Sequence, residues 1–132
     1  MNSHYFITHC SKEKSRKEGD MPALKRYLSP HIEYVYKQSR ISGNGFLIFS
    51  GRYGFLEADE PIPYYDKLLL RGDFEIMGRK VDSQYKKYGF EKLTFFHQDT
   101  GKDVKLLVYR DFIERFACRN GIEAEFKTLT DR

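Results

Sequence analysis

The stretch that decides the fold is FLIFSGRYG, residues 46–54. Phe46, Leu47, Ile48 and Phe49 form an unbroken apolar run, whereas a strand with one wet face alternates. A continuous run suits a strand covered on both faces, and such strands belong to parallel sheets flanked by helices. The run then empties into Ser50-Gly51-Arg52-Tyr53-Gly54, and soon afterwards comes Pro61-Ile62-Pro63-Tyr64-Tyr65-Asp66. A core has no use for that mixture of glycine, tyrosine and charge, so a binding role is expected of it.

Strands and helices alternate on either side of this run. Tyr5 to His9 reads as a first strand, followed by a polar loop from Cys10 to Asp20. Pro22 opens a helical stretch carrying Leu24, Tyr27 and Leu28. Ser29-Pro30 restarts it as N-cap and first helical residue. Beyond the tyrosine loop, Asp73 caps a helix whose apolar stripe is Phe74, Met77, Val81, Tyr85 and Tyr88, with Gly89 as its stop. Leu93 to Phe96 gives a third strand. Thr100-Gly101-Lys102-Asp103 resembles a capping box for a last helix carrying Val104, Leu107, Val108, Phe112, Ile113 and Phe116. Ile122, Ala124 and Phe126 alternate with Glu123, Glu125 and Lys127, the pattern of a half-exposed edge strand. The expected architecture is a single α/β domain over residues 1–132. It is a small three-layer sandwich around a mostly parallel sheet of about four strands, whose order the pattern leaves open.

Composition narrows the partners. The net charge of +4 with 32% charged residues is too modest for a nucleic-acid tail, yet ten tyrosines and eleven phenylalanines stand beside 23 basic residues. Rings that stack and cations that meet phosphate suit nucleic acid or a nucleotide. No segment is long and apolar enough for a membrane span, and no signal-peptide pattern opens the chain, so no membrane partner and a cytoplasmic location are expected. Cys10 and Cys118 make neither a C-x-x-C pair nor a zinc-like grouping. No metal or cofactor is expected, since Walker A and G-x-G-x-x-G sequences are also absent.

In a parallel α/β sheet ligands bind beyond the carboxyl ends of the strands. Three polar clusters would meet there: His9-Cys10-Ser11-Lys12-Glu13-Lys14, Ser50-Gly51-Arg52-Tyr53-Gly54, and His97-Gln98-Asp99-Thr100. The expected substrate-binding residues are Ser11, Lys12, Lys14, Ser50, Gly51, Arg52, Tyr53, Gly54, Tyr64 and Tyr65. The glycines would let backbone approach a ligand or only serve a turn. Pro61 and Pro63 would stiffen the loop that aims the tyrosines. Asp66, His97 and Cys10 are the candidate catalytic groups: an acid for a base edge or a water, a histidine before a helix start for phosphate, and a thiol beside lysines.

The same residues carry a resemblance. Cys10-Ser11-Lys12-Glu13-Lys14 resembles the "CSK-x-K" opening of a bacterial and phage domain family of unknown function. Ser50-Gly51-Arg52-Tyr53-Gly54-Phe55-Leu56 and Pro61-Ile62-Pro63-Tyr64-Tyr65-Asp66 resemble its "S-x-x-YG" and "pI-x-x-YD" blocks. A similar arrangement occurs in the peroxide-stress YaaA family, and related domains occur in archaeosine synthase-like tRNA-modification proteins. The resemblance covers residues 5 to 66 and implies a uracil-DNA glycosylase-like fold in a nucleic-acid or nucleobase setting. Two features differ: His9-Cys10-Ser11-Lys12 stands where those glycosylases carry a water-activating acid, and His97-Gln98-Asp99 does not match their late histidine motif.

Three functions follow as expectations. The first is an N-glycosidase-like hydrolase, with Tyr53, Tyr64 or Tyr65 stacking on the base. In it Asp66 activates water or stabilises the sugar cation, and Lys12, Lys14 and Arg52 hold phosphate. The second is a non-catalytic nucleotide or nucleic-acid binding module using the same residues. The third gives Cys10 the nucleophile's role, with His97 as the histidine that would have to reach it.

Overall fold

Residues 46–49 lie inside β3 (Gly45–Ser50) of a computed structural model that describes residues 3–129. Leu47 and Phe49 point into one apolar cluster, while Phe46 and Ile48 join another. The strand is therefore covered on both faces, as its unbroken run requires. Its partners are β1 (His4–His9), parallel to it, and β4 (Gly54–Leu56), which returns antiparallel after a three-residue turn. The sheet continues from β1 through β6 (Lys92–His97) to β7 (Glu123–Thr128), both parallel to β1. Five strands thus stand in the order β4-β3-β1-β6-β7, four of them parallel. In this sheet the strand the sequence reading misses is β4, because its Gly-Phe-Leu sequence continues the polar turn; Pro22, expected to open a helix, and Pro61, expected in a loop, lie in two further short strands. A separate two-stranded ribbon joins β2 (Met21–Pro22) to β5 (Pro61–Ile62).

Helix α1 (Ala23–Arg26) is a single turn, and α2 (Pro30–Ser42) packs on β1 and β3 over the cluster of Ala23, Tyr27, Ile32, Ile48, Leu56, Ile62 and Tyr65. The other face carries α3 (Phe74–Tyr88) on β4 and α4 (Leu106–Arg119) on β6 and β7. The larger core lies beneath these two helices, built on Ile7, Phe49, Phe95, Phe112 and Phe116. The α3 stripe is the expected one, and Gly89 ends it in the left-handed conformation at φ 62°. For α4 both start and phase differ from expectation. The helix begins at Leu106, after turns in which Asp99 and Asp103 bond the amides of Gly101 and Lys105. Its buried stripe is Leu106, Tyr109, Phe112, Ile113 and Phe116, leaving Val104 and Leu107 exposed.

Strand β4 is an edge, and Gln84 of α3 covers it. Its side-chain amide donates to the carbonyls of Tyr53 and Phe55 at 3.0 and 3.3 Å and accepts from the Phe55 amide at 2.8 Å. One side chain thereby occupies ladder groups that a foreign strand would otherwise pair.

Topology then fixes where a ligand belongs. From β1 the chain crosses to β3 over one face, and from β6 it crosses to β7 over the other. The carboxyl ends of the adjacent strands β1 and β6 therefore flank a switch point, where crossovers diverge and leave a crevice.

Candidate functional site

A cavity of about 400 Å³ opens at that switch point. Its wall includes Cys10, Ser11, Lys12 and Lys14 from the loop after β1, Asp66 to Leu68 from the loop after β5, and Lys105, Leu106 and Tyr109 at the start of α4. Each stretch is held in place by identifiable bonds.

Cys10 is fixed through its backbone. Its amide donates to the Phe49 carbonyl at 2.9 Å, and its own carbonyl receives the Nδ1 proton of His9 at 2.9 Å. That proton is assigned by the other ring nitrogen, since His9 Nε2 accepts from the Gln98 amide at 3.3 Å. The His31 ring lies against His9, tilted by 31° with centroids 4.3 Å apart, and donates from Nε2 to the His9 carbonyl at 3.0 Å. Burial, then the neighbouring His31, pushes the pKa of His9 down to about 3, and burial lowers His31 as well. Both rings are neutral struts joining β1 to β6 and α2. The half-buried thiol of Cys10 meets the Tyr109 hydroxyl at 3.8 Å.

The Asp66 stretch is a strap between two buried anchors, Tyr65 and Leu69. The Tyr65 hydroxyl bonds the hydroxyl of Tyr27 and, at 2.9 Å, Ser50 Oγ. The Leu69 amide donates to the Tyr109 hydroxyl at 3.0 Å. Asp66, Lys67 and Leu68 arch between them, with Asp66 exposed on the cavity wall and Lys67 paired to Asp73 at 2.7 Å. Burial, with the Cys10 thiol as the next cause, holds the phenols of Tyr27, Tyr65 and Tyr109 above their ordinary range, so they remain neutral hydroxyls.

Five of the expected residues, Cys10, Ser11, Lys12, Lys14 and Asp66, come together on this cavity. The others stand behind or beside it. Ser50 is fully buried and its hydroxyl oxygen accepts from the Arg52 and Tyr53 amides at 3.1 Å each, closing the β3–β4 turn. Gly51 is small because the strap crosses it: an added Cβ would lie 2.8 Å from the Leu69 nitrogen and 2.9 Å from the Tyr109 oxygen. Gly54 adopts φ 74° at the start of β4. These two glycines answer to packing and turn geometry rather than to a ligand. Tyr65 is a buried anchor, with Tyr53 edge-on to it at 5.1 Å. Arg52 lies over Tyr53 at 5.5 Å, and Tyr64 pairs with Arg16 at 5.0 Å, both away from the cavity wall. His97 is buried, its Nδ1 donating to the Gln98 carbonyl at 2.9 Å, and the helix it was expected to precede starts nine positions later. His97 is not among the residues of the cavity wall, on which Cys10 and the lysines stand.

Sequence reading missed Tyr109 and Arg26. Tyr109 was legible, because Leu106, Tyr109, Ile113 and Phe116 keep helical spacing. Arg26 was not. Its fully buried guanidinium donates to the carbonyls of Ser15, Lys17, Gly19 and Ile62 at 2.5 to 3.3 Å, and so fixes the loop beyond Lys14. Among the described residues no group of three His, Cys, Asp or Glu could hold a metal ion, and no helix is long and apolar enough to cross a membrane. Compared with family models, with curated proteins and with solved structures, the chain matches none.

Proposed function

We propose that this chain binds a nucleotide unit in the switch-point cavity and hydrolyses its N-glycosidic bond with Asp66 as the catalytic carboxylate. The observation that carries the reading is the shared cavity: an exposed carboxylate on a doubly anchored strap faces a loop bearing a hydroxyl and two lysines. Lys12 and Lys14 meet phosphate, and the apolar side chains of Leu68, Leu106 and Tyr109 receive the base. In the reaction a water oxygen bonds to the sugar C1′ while the C1′–N bond breaks and its electron pair leaves on the base. Asp66 takes the proton of that water, and its negative charge opposes the positive charge developing on the sugar. The CSK-x-K, S-x-x-YG and pI-x-x-YD blocks support the same setting, although Tyr109 takes the lining place first assigned to Tyr53, Tyr64 and Tyr65.

Mass spectrometry of bases released from nucleosides, nucleotides, DNA and RNA, modified and unmodified, tests this. Wild type is expected to release a base, whereas Asp66→Asn is expected to bind the same ligand without release. Release that survives in Asp66→Asn removes the catalytic assignment. A second reading, a binding module without turnover, is favoured by one observation: His9, the histidine on the cavity wall, has both ring nitrogens bonded to backbone and offers no base. Retained ligand with no release by either protein would select it.

A further inference from the structure

Lys14 is a buried cation with neither a counter-charge nor a full set of hydrogen bonds, whereas the guanidinium of Arg26, also buried and in no ion pair with a described residue, is met by four backbone carbonyls. Lys14 is only 9% exposed, and its Nζ reaches the Lys12 carbonyl at 3.5 Å and lies 4.6 and 5.9 Å from the ring centres of Tyr65 and Tyr27. It joins no ion pair with any described residue. The backbone leaves it little freedom, because Lys14 pairs with Tyr27 and its neighbours bond residues 26 and 28. A buried charge is costly unless something of opposite sign meets it, and two tyrosine faces supply only part of that. The other cations of the cavity differ: Lys12 and Lys105 are exposed, and Lys67 is held by Asp73 at 2.7 Å. The N-terminus of α4 is not an anion site in its place, since the amides of Leu106, Leu107 and Val108 already bond the carbonyls of Asp103, Val104 and Lys105. The carboxylates on the wall, Glu13, Asp66 and Asp103, are all exposed.

Resting on the nucleotide reading above, we infer that Lys14 is the centre of a phosphate-monoester subsite. The substrate class is then a free nucleoside monophosphate rather than a base within a DNA or RNA strand. The distinction follows from where the cation sits. A terminal phosphate carries close to two charges and three free oxygens, and it enters a cavity end-on to reach a recessed lysine. A phosphodiester has a sugar on either side and is met by exposed cations along a groove. Here the unpaired cation is the buried one among the lysines on the cavity wall, and Ser11, whose hydroxyl donates to the Glu13 carbonyl at 2.7 Å, holds the loop that carries it.

Calorimetric titration of the full chain separates the possibilities. The probes are nucleosides of the common bases, their 5′-monophosphates, the methyl esters of those phosphates, and inorganic phosphate. The proteins are wild type, Lys14→Met and Lys14→Arg, each checked by thermal melting. Monophosphates are expected to bind wild type at least about tenfold more tightly than nucleosides or methyl esters. That preference is expected to vanish in Lys14→Met and to return in part in Lys14→Arg. Equal binding of nucleoside, monoester and diester, or a preference that survives in Lys14→Met, would overturn the subsite while leaving the nucleobase reading standing. Lys14-dependent binding of inorganic phosphate with no nucleoside bound would support the subsite and remove the nucleobase. Silence from every probe would overturn both.

Discussion

Tyr65 shows how one residue type can serve two incompatible purposes. A tyrosine placed to stack on a base keeps its ring accessible, whereas the Tyr65 ring is buried and its hydroxyl is shared between Tyr27 and Ser50. Tyr65→Phe is therefore expected to leave two buried hydroxyls short of a partner and to cost about 1–3 kcal/mol in urea unfolding. A ligand-stacking tyrosine would lose its hydroxyl with no change in stability, so an unchanged urea midpoint would reject the anchor. Cys10 and Cys118 offer an internal control for the cavity, since both are free but Cys118 is on the exposed surface of α4. Inorganic phosphate or a nucleotide in the cavity is expected to slow alkylation of Cys10 several-fold and to leave Cys118 untouched. Equal protection of both thiols, or of neither, would place the ligand elsewhere.

At the scale of elements, the loop between β1 and β2 has almost no apolar content to hold it, and Arg26 supplies the hold instead. Its donors collect the carbonyls of residues 15, 17 and 19 around one fully buried guanidinium, with Ile62 as a fourth acceptor. Arg26→Met keeps much of the stem but leaves those carbonyls unpaired. It is expected to destabilise by at least about 3 kcal/mol and to make residues 15–19 the first site of limited proteolysis. Unchanged proteolysis at that loop would remove the role. Much of the architecture was readable because it rests on periodicity: the double-sided run of Phe46 to Phe49, the α3 stripe and the alternation of β7 each report a single element. Arg26 was unreadable because its partners are backbone carbonyls of one loop and of β5, and a carbonyl has no sequence signature. The site was readable in part for the same reason. Chain order puts Cys10 to Lys14 at a strand end, but only the tertiary path of the strap decides that Asp66 faces the cavity while Tyr65 faces inward. In sequence Gly51 admits both a turn and a ligand contact, and the strap that crosses it accounts for its lack of a side chain.

The whole molecule is held across its switch point by neutral histidines, and that gives its stability a pH dependence of predictable sign. His9 sits between β1 and β6 with the His31 ring against it, His97 nearby on β6, and the rings of Phe95 and Tyr109 at 6.4 Å. A proton on His9 Nε2 would displace the Gln98 amide and set a charge among these groups, which is why burial and then His31 hold its pKa at about 3. The unfolded chain has no such constraint and takes up the proton near the ordinary value of 6.5. Between those two values the unfolded state binds more protons than the folded state, so stability falls as pH falls through that window. One such histidine contributes about 1.4 kcal/mol per pH unit, or roughly 2 kcal/mol between pH 6.5 and 5, and His31, lowered by burial, acts in the same direction. The carboxylate of Asp82, held low by its Arg119 bond, loses its contribution only at more acid pH and does not disturb this range. Urea unfolding at about pH 7, 6 and 5 is therefore expected to show a steady loss of stability in wild type. The loss becomes shallower in His9→Gln, which keeps a neutral polar side chain without the imidazole. A slope as steep in His9→Gln as in wild type would mean that the junction of β1 and β6 is not what titrates.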